Sequence, residues 1–304
     1  MKKNIAVVIA VHNRLEFTKR CLDALRLSSI LHTIRPIVVD DGSTDGTGNY
    51  LIEHYPEVII IVGNGSLWFG GATQLGIDHS LRNDQFDYVM TLNNDMFLRP
   101  GAIDIMVSAA NSLTVVGAGY FEEDIGAFST AGFLWKGKKG LVGVSWLPDW
   151  KDSENQKFVS VDAVSTTATL YPCALLKRIS RINLKLHPHN RYDVLLSAAI
   201  RKAGASFLIT RDAMADHVHG PLTRNKSCRT MTINEFYQDS FGDPVKVGYL
   251  PGLLHACWVS APNPVQGAFI VFNRSFFWLA QALYVTSNAT IKSILRPFRP
   301  STKL

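Results

Sequence analysis

Four carboxylates, three closing apolar runs and one opening a helix, are the side chains of this chain best placed to do chemistry. Asp40 and Asp41 close the run RPIVVDD and open a small-residue turn, DGSTDGT. A carboxylate there can accept hydrogen bonds from a nucleobase or from ribose hydroxyls, and the turn lets the backbone come close to a ligand. Asp95 follows two amides in LNNDM, after the apolar run FDYVMTL. Mg²⁺ and Mn²⁺ take oxygen ligands and often use only one or two carboxylates plus substrate phosphates, so Asp95 is a candidate metal ligand. Asn93 and Asn94 offer hydrogen bonds rather than metal ligation. Asp193 opens a helix in NRYDVLLSAAIRKAG. An acid there suits the helix dipole, and at a cleft edge it can take a proton from a hydroxyl. Each of these acids also has a plain structural reading, as turn former, strand end or helix-terminal acid.

Two other stretches carry weaker signals. His217 and His219 alternate in DHVHGP, an extended segment, so they point to opposite faces and do not read as a joint metal pair. One of them is a candidate ligand. GNGSLWFGGA is rich in glycine but is neither a dinucleotide fingerprint nor a phosphate loop, because no GK[ST] follows. Trp68 and Phe69 within it either wall a sugar face or fill core. No GxSxG elbow supports a serine hydrolase.

The elements that must position these residues follow from hydrophobic pattern. Ile5–Val11 is a continuous apolar run, as buried parallel strands are. Leu15–Leu27 has helical spacing. RPIVVDD is a second strand, DGSTDGTGNYLIEHY a turn and then a helix capped near Ser43 or Thr44, and EVIIIV a third strand. A helix is expected from about Ala72 to Leu81, and FDYVMTL is a fourth strand. Strands alternating with helices imply an α/β fold with a mostly parallel sheet, which binds ligands beyond the carboxyl ends of its strands. The later chain shows β-like pieces at Val115–Gly119, Ala127–Trp135 and Val159–Tyr171. A helix at Asp193–Ala203 and a strand at Ser206–Ile209 follow.

Of 304 residues, 47% are hydrophobic and 18% charged, which is a chain that buries a real core. The formal charge of +6 is unevenly spread. Residues 1–172 hold 14 Lys and Arg against 19 Asp and Glu, and residues 173–304 hold 17 against 6. The basic C-terminal part suits an anionic partner. The basic residues are scattered and match no nucleic-acid-binding module. Cys21, Cys173, Cys228 and Cys257 show no metal or redox spacing and read as free thiols. MKKNIAVVIAVHNR reads as a first strand rather than an export signal, so a cytoplasmic location is expected. Gly267–Val285 is nearly all apolar and is followed by Lys292, Arg296, Arg299 and Lys303. That pattern fits an amphipathic helix on the inner face of an anionic membrane, or a helix packed on protein. The expected division is a domain at 1–244 and a C-terminal helical extension at 245–304.

Taken in order, VHNR, VVDDGSTDGT, GSLWFGGATQLGI, LNNDM, the acid opening a helix that ends RKAG, and a following histidine resemble a family 2 glycosyltransferase with the GT-A fold. GSLWFGGA and STTATLYP resemble its rhamnosyltransferase-like branch of bacterial surface-polysaccharide synthesis. The resemblance covers roughly residues 4–220. It implies an inverting transfer from a uridine or thymidine diphosphate sugar, rhamnose among them, to a saccharide or lipid-diphosphate-linked acceptor. It implies that Asp40, Asp41, Asn94, Trp68 and Gly71 contact the donor and that Asp95 and His217 hold Mn²⁺ or Mg²⁺. Asp193 would be the catalytic base, and Thr167 and Tyr192 would lie on the acceptor side. The chain departs from the family pattern in reading NND for DxD, Tyr192 for the acid before Asp193, Gln74 for an asparagine and Ala168 for a glycine. A nucleotidyltransferase lacks support because AVHNRLEF is not a basic glycine loop. A protein that binds a sugar nucleotide without turnover is the other alternative.

Overall fold

The apolar runs form one side of a ten-stranded sheet. They are seen in a computed structural model that describes residues 1–82, 85–135, 141–143, 156–218, 231–245 and 249–295, with side chains as far as 287 and none for 141–143. The chain falls into two compact units, Met1–Pro221 and Leu222–Leu304.

In the first unit, β1 (Asn4–Val11) lies between β2 (Thr33–Asp40) and β4 (Tyr88–Leu92), and β3 (Ile59–Val62) flanks β2. All three pairings are parallel. Ile5, Val7 and Ile9 are fully buried, as are Ala6 and Val8 on the other face to within 1%. A strand covered on both faces needs this unbroken apolar run. The register sets Val11 beside Asp40 and Asp40 beside Val62, so the strand ends lie level. The polar segments after these strands therefore share one edge of the sheet.

Helices α1 (Leu15–Arg26), α2 (Thr47–His54) and α3 (Trp68–Ser80) connect these strands. The expected cap of α2 at Ser43 or Thr44 is not formed. Asp45 instead accepts from the Thr47 amide at 3.1 Å, while Ser43 accepts from the Asn13 amide at 2.7 Å and the Thr44 amide donates to Asn13 at 2.8 Å. The turn is bolted to the end of β1. Helix α3 begins four residues before the expected Ala72. Gly76 lets it lie directly on β1, since a Cβ there would sit 2.3 Å from Val8 Cγ1.

Beyond β4 the chain makes β5 (Met96–Leu98), α4 (Ala102–Ala109), β6 (Thr114–Glu122), β7 (Ala127–Thr130), β8 (Gly132–Trp135) and β9 (Leu141–Gly143). Then come β10 (Phe158–Val161), β11 (Ala163–Val164), β12 (Ala168–Pro172), α5 (Cys173–Leu176), α6 (Tyr192–Lys202) and β13 (Ser206–His217). Strand β12 pairs antiparallel with β4 and β6, so this half of the sheet is mixed. Strands β11, β8 and β9 form a separate three-stranded sheet. Strand β13 runs eight residues past the expected Ile209. Register shifts between Ile209 and Ala215 bend it, after which it pairs with β5.

In the second unit, α7 (Ile233–Tyr237), α8 (Leu250–Ser260) and α9 (Pro264–Leu295) form a helical group. Thr232 and Glu235 make a reciprocal capping box at α7. Phe236 packs with Ala282 and Val285, and the Trp278 indole donates to Ser240 at 2.9 Å. These contacts place residues 231–242 with the C-terminal helix, so the division falls at 221 rather than at the expected 244. His219, Cys228, Arg296, Arg299 and Lys303, and the side chain of Lys292, lie outside the described residues. Among the described residues Cys21, Cys173 and Cys257 form no disulfide.

Replacing Gly76 by alanine forces α3 away from Val8. Urea unfolding is expected to show a loss of about 1–3 kcal/mol.

Candidate active site

Asp41 organises the loop beyond β3. Its Oδ1 accepts from the Gly65 amide at 2.8 Å and its Oδ2 from the Trp68 amide at 2.9 Å. Two amides on one carboxylate fix the loop and give α3 an anion at its N-terminus. Trp68 is held with φ +56°, and Asn13 and Arg14 lie at +60° and +64°. Left-handed non-glycine residues are costly and gather where surrounding structure holds them for a purpose. Beside them opens a cavity of about 370 Å³ lined by His12, Arg14, Asp41, Trp68, Asn94 and His189, among others.

Several walls of this cavity come from residues that the sequence reading did not single out. The His12 Nδ1 lies 2.7 Å from the carbonyl oxygen of Asp41. A carbonyl only accepts, so Nδ1 carries the proton and donates. His189 meets Trp68 edge-on at 5.8 Å and Phe69 at 6.5 Å. Burial lowers the His189 pKa, which keeps the ring neutral. A neutral aromatic wall suits the face of a base or sugar. The signal available for His189 was the HPHN stretch that precedes the Asp193 helix.

Asp40 and Gly71 stand behind the cavity. Asp40 is 6% exposed and accepts from the Ser43 amide at 2.9 Å. A Cβ on Gly71 would lie 3.3 Å from Leu67. Both shape the loops. Asn94 reaches the cavity, while its amide donates to Thr18 at 3.2 Å.

Asp95 and His217, the two expected metal ligands, lie side by side. Strand β13 sets His217 opposite Met96, and His217 Nε2 lies 3.7 Å from Asp95 Oδ1. That oxygen is buried and accepts no hydrogen bond. On its far side, His217 Nδ1 is 2.9 Å from Glu122, an acid that closes β6 and lies level with His217. The carboxylate accepts the Nδ1 proton, which leaves Nε2 as the nitrogen facing Asp95. The other Asp95 oxygen accepts from Arg14 Nη1 at 2.9 Å. Among the described residues no group of three or more His, Cys, Asp or Glu side chains converges as a metal cage. An orphaned carboxylate oxygen beside an oriented imidazole fits a cation that completes its shell with water and phosphate.

Asp193 sits in the first turn of α6, with Oδ1 accepting from the Val194 amide at 2.8 Å. Burial raises its pKa, opposed by that amide, its own amide and Arg191. Thr167 anchors the neighbouring loop. Its carbonyl accepts from the Asn93 amide at 2.8 Å and its hydroxyl lies 2.8 Å from Ser165. Tyr192 is not on an acceptor face. It is 1% exposed, and its hydroxyl donates to Gln74 at 3.1 Å. Neighbouring positions on a helix point about 100° apart, so Asp193 and Tyr192 face different surroundings.

Asp41→Ala removes the acceptor for two amides. It is expected to destabilise the protein by about 1–3 kcal/mol and to weaken binding of any ligand in this cavity, as read by thermal unfolding and calorimetric titration.

Residues 6–180 match the family model "Glycosyl transferase family 2". Two curated proteins from strains of Mycobacterium tuberculosis are each 33% identical over 107 residues. Both are called N-acetylglucosaminyl-diphospho-decaprenol L-rhamnosyltransferase, and the match spans 32% of this chain and 35% of theirs. The crystal structure of GalNAc-T7 with UDP, GalNAc and Mn²⁺ superposes with TM-score 0.56 at 12% identity, over 80% of this chain and 51% of that one. S. aureus TarS in complex with UDP superposes with TM-score 0.55 at 14% identity, over 91% and 72%. These superpositions carry the fold alone. With a family model matching more than half its length and the GT-A arrangement of its sheet, the chain belongs to glycosyltransferase family 2.

Proposed function

We propose that the protein is an inverting, metal-dependent glycosyltransferase that moves a sugar from a uridine or thymidine diphosphate donor to a hydroxyl of a lipid-linked saccharide. The single observation that supports it most is the buried, unpartnered Asp95 oxygen 3.7 Å from His217 Nε2, at the strand edge that carries the aromatic-walled cavity. The names of the mycobacterial relatives favour rhamnose as the sugar and a diphospho-polyprenol saccharide as the acceptor.

In this reading the base and ribose occupy the cavity between His12, Asp41, Trp68 and His189. Asp95 and His217 would hold Mn²⁺ or Mg²⁺, which would neutralise the charge that builds on the leaving diphosphate. Asp193 takes the proton from the acceptor hydroxyl. That oxygen forms its bond to the anomeric carbon as the bond to the diphosphate oxygen breaks, with inversion. Burial serves this role, because a carboxyl with a raised pKa is a stronger base than one in water.

The second unit suits a membrane surface on the cytoplasmic side. No Asp or Glu follows Asp243, while Lys246, Arg274, Lys292, Arg296, Arg299 and Lys303 do. Val265, Phe269, Phe272, Phe276, Leu279 and Leu283 recur every three or four residues and are all exposed. Among the described residues one helix, Pro264–Ser287, is long and apolar enough to cross a membrane. Its asparagine, arginine and glutamine favour a position along the interface.

Incubation with Mn²⁺ and a panel of nucleoside diphosphate sugars tests the central reading. Metal-dependent nucleotide release from one donor is expected, and donor binding without release even with added saccharide lipid would support a binding protein instead. Asp193→Asn is expected to cut turnover by roughly 10²–10⁴-fold. In the wild type, activity is lost as pH falls through the raised Asp193 pKa, above the usual carboxylate range. The stability sign is opposite. A raised folded pKa gives stability at low pH that is lost as pH rises, so Asp193→Asn should unfold at least as high as wild type at neutral pH. Phe272→Ser with Phe276→Ser should weaken flotation on phosphatidylglycerol vesicles by about tenfold or more.

A further inference from the structure

Arg14 has a role that this mechanism leaves open. Its guanidinium donates to Asp95 at 2.9 Å, on the carboxylate that would hold the cation. The Asp95 side chain is 15% exposed and that of Arg14 40%. The backbone places this arginine with unusual firmness. Asn13 and Arg14 are consecutive left-handed residues, held by Asn13 to Ser43 and Thr44 and by the Leu15 amide to Asp45 at 2.9 Å. A pair of strained residues fixed at both ends aims Arg14 where a relaxed loop would not. Arg14 also lines the cavity.

Charge balance says what this contact does. With no cation bound, a largely buried carboxylate needs a counter-charge, and Arg14 supplies it. A divalent cation on the same carboxylate would sit within a few ångströms of the guanidinium, and two cations so close repel strongly. A cation on Asp95 Oδ1 therefore weakens the hold of Arg14 on the other oxygen, Oδ2. The donor diphosphate brings the negative charge that a released guanidinium matches best, through paired N–H groups.

We propose that Arg14 is an exchangeable counter-ion: it holds Asp95 in the free enzyme, yields that carboxylate to the cation, and moves to the diphosphate of the donor. This rests on the donor reading above. The exchange makes cation and donor bind as a linked pair, because each provides the other's site with charge. It also leaves Arg14 on the diphosphate as its negative charge grows at bond cleavage, where a fixed cation stabilises most.

The test is Mn²⁺ binding followed by the loss of the free-ion electron paramagnetic resonance signal, on the full chain. The proteins are wild type, Arg14→Gln, Arg14→Lys and His217→Ala, each with and without UDP or dTDP. With Mn²⁺ alone, Arg14→Gln is expected to bind about tenfold tighter than wild type, because its competitor is gone. With nucleotide, wild type should tighten about tenfold, Arg14→Lys should keep part of that gain, and Arg14→Gln should show little. An Arg14→Gln protein that binds Mn²⁺ alone no better than wild type overturns the exchange, as does one that keeps the full nucleotide gain. The arm without nucleotide decides the competition even if neither nucleotide binds. Loss of Mn²⁺ binding in every protein, or undiminished binding in His217→Ala, instead overturns the metal site of the proposed function. Circular dichroism of each variant confirms that the fold is kept.

Discussion

The Asp95 carboxylate is a charge largely withdrawn from water, and such a charge must be compensated from close by. One of its oxygens is served by Arg14, and the other is buried beside His217 with no hydrogen bond. Much of the molecule is arranged around that need. Strand β4 delivers Asp95 at its carboxyl end. Strand β13 bends through two register shifts and reaches back to β5, which brings His217 alongside. Strand β6 ends on Glu122, level with His217, and fixes which imidazole nitrogen carries the proton.

A second constraint shapes the other half of the edge. The turn after β2 serves the end of β1 as much as its own helix, since Ser43, Thr44 and Asp45 bond to Asn13 and Leu15. Asp41 spends its carboxylate on Gly65 and Trp68. The cavity is therefore built from backbone groups and aromatic faces held in place by acids. The acids themselves are largely occupied.

Much of this was legible in the residues. Unbroken apolar runs at Ile5–Val11 and FDYVMTL announced buried parallel strands, and the acids that follow RPIVV and FDYVMTL marked the polar edge of the sheet. The pairing of Asp95 with His217 came from motif order, because nothing local links positions so far apart. Glu122 was missed for the same reason, although an acid ending the run TVVGAGYFE was the available clue. Tyr192 was misplaced because adjacency in sequence is not adjacency on a helix surface. The left-handed turn at Asn13 and Arg14 carries no glycine to signal it. Its geometry comes from tertiary hydrogen bonds that only the folded chain displays.

Crystals soaked with Mn²⁺ and UDP, with diffraction collected at the manganese absorption edge, would show the metal site and the position of Arg14 together. One strong anomalous peak is expected within bonding distance of Asp95 and His217 Nε2, with the diphosphate on its open side and Arg14 no longer on Asp95. A nucleotide in the cavity with no anomalous peak there, and Asp95 still paired with Arg14, would contradict the metal site and the exchange.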